Sequence, residues 1–173
     1  VKRAAGMTLI EVLIAVLVLA IGLLGIAGLQ SAALSNNLIS YQYTQASALA
    51  QAMTERMRAN RDGVRLGAYA IAADATPPAA PVNCAVSACS PIEQAQWDIA
   101  AIYAQLSSSA NTANIPNGPR AVLPGSRLSI DCDGGSCAAD SLRIVAVYWD
   151  GSRRRPDTID CEVLHCIRLG YLP

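Results

Sequence analysis

The chain has one histidine, His165, one lysine, Lys2, no phenylalanine, and only 5% aromatic residues. Its 13 basic and 13 acidic side chains cancel. The basic, aromatic-studded surface that holds nucleic acid by phosphate contacts and base stacking is therefore missing, and nucleic acid is not an expected partner. With a single imidazole and no recognisable nucleophile, phosphate-loop or metal motif, there is little from which to assemble a general-base site. No catalytic residue is assigned, and no cofactor or metal is expected. At 173 residues the chain is long enough for one compact domain plus an appendage, and too short for two ordinary domains with independent cores.

What is present in excess is apolar side chains, 53% of the total, and they are unevenly placed. Between Met7 and Leu29 the only polar side chains are Thr8 and Glu11, and no proline interrupts the run. About 20 apolar residues cross the hydrocarbon core as a helix, so this segment has the length of a membrane span. Lys2 and Arg3 stand just before it. Basic residues ahead of a first span keep the N-terminus in the cytoplasm, which predicts a single-pass protein with everything after Leu29 in a periplasm. A cleavable secretory signal has a shorter apolar region of about 7–15 residues and gains nothing from a carboxylate such as Glu11. An ionised acid inside a bilayer costs about 2.5–3.5 kcal/mol, so Glu11 is a candidate functional residue that needs a partner.

The six cysteines form three pairs of identical spacing, Cys84/Cys89, Cys132/Cys137 and Cys161/Cys166. An even count in an exported domain predicts a disulfide framework. Structural zinc sites use closer cysteine spacing and would have only His165 to draw on, so disulfides are favoured over metal. Turn-forming residues lie inside the first two pairs. Glu162-Val163-Leu164-His165 has none, and if that stretch is strand its ends are too far apart for a bond, so the last pair is the doubtful one. A calcium loop at Asp131 and Asp133 lacks the later acidic ligands that such a loop needs.

The helical pattern continues past Leu29, because Gln30 through Asp62 has neither proline nor glycine and is rich in alanine, leucine, glutamine and methionine. One helix is predicted from Thr8 to Asp62, stopped by Gly63. Ile39, Ala46, Leu49, Met53 and Met57 share a face of its second half and form the surface on which a globular head packs. Thr76 to Pro91 is a proline- and alanine-rich loop held by Cys84 and Cys89. Ser90-Pro91-Ile92-Glu93 then has the order of a capping box, opening a short helix to Leu106 with Ile92, Trp97, Ile99 and Tyr103. After a polar connection over Ser107 to Pro124, strands are predicted at Arg127–Cys132, Ser141–Trp149 and Cys161–Leu169. Asp131 to Cys137 reads as a tight hairpin end. Arg153-Arg154-Arg155 is read as a solvated loop, with a docking patch as the alternative.

The segment Gly6-Met7-Thr8-Leu9-Ile10-Glu11-Val12 resembles the processing site of type IV prepilins and of the related type II secretion pseudopilins. That resemblance implies cleavage after Gly6 by prepilin peptidase, methylation of Met7 as the new terminus, and Glu11 as the fifth mature residue. The family usually has phenylalanine where this chain has Met7, and methionine is also large, flexible and apolar. It also supplies the missing partner: the α-amino group of Met7 on one subunit meets Glu11 of its neighbour. Ala20 to Gln30 and Gln51 to Arg61 are similar to stretches of the PilV group of minor pilins. Gly22, Gly25 and Gly28 allow close helix approach, or are merely tolerated in a membrane helix.

The expectation is thus an α+β, type IV pilin-like fold. Residues 1–6 are the leader, 7–29 the membrane-spanning half of a long helix, 30–62 its periplasmic half, and 63–173 an antiparallel sheet head with one short extra helix. The implied function is a minor pilin in the bacterial inner membrane that primes or joins a pilus fibre. Its partners would be other minor pilins, the major pilin, and the prepilin peptidase/methyltransferase. A minor pseudopilin of type II secretion shares the same N-terminal signal, and a membrane-anchored periplasmic enzyme is the weaker third reading.

Overall fold

The computed structural model describes residues 8–79, 82–110, 123–132, 137, 141–150 and 159–173. Six elements follow in order: α1 (Leu9–Ala59), α2 (Arg61–Arg65), α3 (Pro91–Ala110), β1 (Arg127–Cys132), β2 (Arg143–Trp149) and β3 (His165–Tyr171). Contacts divide the chain into two units, Val1–Tyr41 and Gln42–Pro173. Every described residue of the first unit is exposed, including Leu9, Ile14, Leu19, Leu24 and Leu29. A helix with this apolar exterior is long and apolar enough to cross a membrane.

In the second unit β1, β2 and β3 form an antiparallel sheet in that order, with Leu128 opposite Val147 and Val147 opposite Ile167. The central strand is covered on both faces, which explains its unbroken run Ile144-Val145-Ala146-Val147-Tyr148-Trp149. Val145, Val147 and Trp149 join the main core with Leu128, Ile130, Ala95, Ile99, Ile102 and Leu106. Ala146 and Tyr148 pack on the opposite side with Leu164. The part of α1 within this unit buries Gln42, Ala46, Ala50, Met53, Thr54 and Met57, steps of three and four that keep one stripe facing inward.

Several expectations are corrected here. Ile39 is not on that stripe: it is 39% exposed, and the buried face begins at Gln42. The long helix ends at Ala59, and Gly63 lies inside α2 instead of stopping α1. Asn60 makes the break, its backbone leaving helical geometry (φ −117°, ψ 63°) while its side chain accepts from the Gly63 N–H. Gly63 is needed because a Cβ would stand 2.7 Å from the Pro91 carbonyl oxygen.

α3 runs to Ala110, past the expected Leu106. Its start follows the capping box: the Ser90 N–H donates to Glu93 Oε2 (2.8 Å), and the Glu93 N–H donates back to Ser90 Oγ (3.4 Å). Ile92 is exposed, and Ala95 replaces it in the core. β2 begins at Arg143, two residues after the expected Ser141, and β1 and β2 are joined across residues 133–142, longer than a tight hairpin. β3 begins at His165, because Cys161–Leu164 is a turn in which the Val163 and Leu164 N–H groups donate to the Asp160 carbonyl. Asp133 and Arg153 to Arg155 lie outside the described residues.

Candidate assembly site

Thr8 precedes α1, and its carbonyl accepts from the Glu11 N–H at 3.1 Å. Glu11 therefore sits in the first turn, where the unpaired N–H groups of a helix favour an anion. No ion pair among the described residues includes it. Gly6 and Met7 lie outside the described residues. A Cβ added at Gly22, Gly25 or Gly28 would meet nothing within 4 Å, so each is open to an incoming neighbour.

All six cysteines are paired: Cys84–Cys89, Cys132–Cys137 and Cys161–Cys166, with Cα separations of 5.6, 5.2 and 5.3 Å. The doubt over the last pair is corrected by the turn at Cys161–Leu164, which folds back what an extended strand would hold apart. Among the described residues no cluster of His, Cys, Asp or Glu is arranged to hold a metal ion.

Two side-chain clusters of the second unit have no counterpart in the sequence reading. In one, buried Asp98 accepts from Arg56 Nη1 (2.9 Å), Tyr69 Oη (2.6 Å) and Gln94 Nε2 (3.0 Å). Asn60 Nδ2 donates to Tyr69 Oη and to the Pro91 carbonyl, so the cluster ties the end of α1 to α2 and α3. Burial pushes the Tyr69 hydroxyl well above its ordinary value, and the Asp98 hydrogen bond adds to the shift. The signal was present: Asp98 falls in the buried spacing Ala95, Asp98/Ile99, Ile102, where an acid needs a partner.

In the other cluster, Trp149 is fully buried, donates its Nε1–H to Gln42 Oε1 (3.3 Å), meets Tyr43 edge-on, and stacks on His165. His165 Nδ1 lies 3.3 Å from Tyr43 Oη. The lone histidine is thus part of an aromatic contact between α1 and the sheet.

A long apolar helix, an acid in its first turn, and a second half seated on an antiparallel sheet define a pilin-type subunit. Residues 1–27 match the prokaryotic N-terminal methylation motif, and residues 28–100 match the family model for type IV pilin Tt1218. Together the two matches support a type IV pilin. The methylation motif implies processing by prepilin peptidase and assembly of pilin with pilin. The family points to a structural protein. No curated protein and no solved structure matches the chain significantly.

Proposed function

We propose that the chain is a minor pilin of the PilV-like group, held in the inner membrane by residues 7–29 with the remainder in the periplasm, and then built into or priming a type IV pilus. The reading rests on one observation above the others: a methylation motif over residues 1–27 covers the apolar start of α1, in which Glu11 is the single acid before Gln30. In this reading residues 1–6 are removed, Met7 is methylated, and its amine meets Glu11 of an adjacent subunit. Other minor pilins and the major pilin are the partners. A type II secretion pseudopilin shares the N-terminal signal, and the match of residues 28–100 to a type IV pilin favours the pilus.

Intact mass of the protein from a host with prepilin peptidase tests the processing. The expected species begins at methylated Met7 and lacks Lys2 and Arg3. An uncut N-terminus, or a cut near Ala32 as for a secretory signal, overturns the proposal.

A further inference from the structure

The two edges of the sheet differ. On β1 the Ile130 N–H donates to the Ile71 carbonyl (2.9 Å) and the Ile71 N–H donates to the Ile130 carbonyl (3.2 Å), so the middle of that edge is closed by the chain itself. In an antiparallel ladder the backbone groups of successive residues point to opposite sides. Because Ile130 points outward, Ser129 and Asp131 bond to Ala146 and Ile144, and Val145 and Val147 turn to Leu169 and Ile167 of β3. The N–H and C=O groups of Cys166, Arg168 and Gly170 are thereby left facing away from the sheet. Among the described residues these three backbones make no further hydrogen bond.

Arg168 and Gly170 are also exposed. A row of unpaired, exposed backbone groups is a template for another strand. The side chains beside this row define what that strand carries. A Cβ at Gly170 would meet only Leu142 Cδ1, at 3.5 Å, and both Leu142 and Leu172 are exposed, so a ledge open to a large apolar side chain lies over Gly170. Arg168 pairs with Asp160 at 3.7 Å, with both side chains more than half exposed, and such a surface pair contributes little. Its guanidinium can therefore turn to the carboxylate of a partner. A second copy does not supply that carboxylate: β3 contains no acid, and Asp131 of β1 stands on the edge that Ile71 closes.

We propose that the outer edge of β3 is the docking site for an extended segment of a partner protein, which adds antiparallel as a fourth strand. The segment carries an acid opposite Arg168 and, two residues before it, a large apolar side chain over Gly170. In strand addition the main-chain hydrogen bonds give affinity, and the side chains at alternate positions give specificity. The ladder also sets the phase. Partner residues opposite Arg168 and Gly170 direct their own N–H and C=O groups at β3, and the residue between them directs its groups away. This docking edge belongs to the second unit alone and uses none of the first 41 residues.

The test uses the oxidised full chain in detergent, with the end-blocked peptide Thr-Thr-Tyr-Thr-Glu-Thr-Thr as the probe. Amide hydrogen exchange should slow at Arg168 and Gly170 when the peptide is added, and stay unchanged at Leu169, which the ladder already holds. N-methylation of the tyrosine or the glutamate amide should weaken binding about tenfold, the worth of one backbone hydrogen bond, whereas N-methylation of the threonine between them should not. Lysine in place of the peptide's glutamate should weaken binding, and Arg168→Glu should restore it for that peptide. Unchanged exchange with the peptide present, or equal effects of N-methylation at all three positions, overturns the proposal. Protection of Arg168 and Gly170 without peptide that disappears on dilution also overturns it, because a second copy is then the occupant. The exchange and N-methylation results are read on the unaltered protein, so they decide even if Arg168→Glu fails to fold.

Discussion

At Gly63 a methyl group would stand 2.7 Å from the Pro91 carbonyl oxygen and closer still to the Asn60 side chain that caps α2. Alanine gains about 1 kcal/mol over glycine in a helix, but here overpacking costs about 1–3 kcal/mol and loss of the cap about 1 kcal/mol more. Gly63→Ala should therefore lower the thermal midpoint, whereas Gly22→Ala, which meets nothing within 4 Å, should leave it unchanged. Asp98 is the second position where one side chain holds several elements. Asp98→Ala leaves Arg56, Tyr69 and Gln94 without their acceptor, and should cost about 3 kcal/mol, the low end for a buried pair because Arg56 can turn to water. A lowered urea midpoint at unchanged slope is the expected result. Glu93 reports on pH. The Ser90 N–H and then the Ser90 hydroxyl hold its carboxyl below the ordinary value of 4.5. Being depressed, it favours the capped helix above pH 4.5, and the benefit is lost as pH falls through the lower folded value. The Ser90 amide resonance should move with a midpoint below 4.5, and Glu93→Gln should abolish that movement.

Elements were legible where a local pattern and the final packing agree. β1 was read at its true bounds, because Arg127 to Cys132 alternates in sequence and its apolar Leu128 and Ile130 enter the main core. β2 was read to its correct end, because a central strand covered on both faces carries an apolar run. The α3 start was legible because a capping box is a local hydrogen-bond exchange. The misreadings have more than one cause. The α1–α2 break depends on Asn60 reaching Pro91, which is far from it in sequence, as well as Tyr69. The turn at Cys161–Leu164 has no glycine or proline, and is closed by the Asp160 carbonyl and the Cys161–Cys166 bond. Helix periodicity placed Ala46, Met53 and Met57 correctly but could not say where the buried stripe begins, since that depends on how far the sheet extends along α1. Of the candidate site, the methylation motif around Glu11 was legible because its signal is linear. The Asp98 cluster was not, because Arg56 and Tyr69 come from elsewhere in the chain.

At the scale of the molecule, the first 41 residues and the remainder are built under different constraints. The second unit buries a core of apolar side chains, while the first unit exposes all of its described ones. Such a surface needs lipid or neighbouring helices, and Glu11 is the only acid within it. Replacing Glu11 by alanine leaves the span at least as apolar, so insertion and cleavage should survive. Incorporation into the pilus should fail, because a neighbour's Met7 amine would be left unpaired in a low-dielectric bundle. Glutamine should rescue only in part, since it accepts a hydrogen bond but carries no charge. Two measurements separate the steps: mass of the membrane-held protein for processing, and surface pilus counts with cross-linking to other pilins for assembly. The expected variant is processed, folded and poorly cross-linked. Normal piliation with normal cross-links would remove Glu11 from assembly, and leave the helix as an anchor whose packing depends on the open faces at Gly22, Gly25 and Gly28.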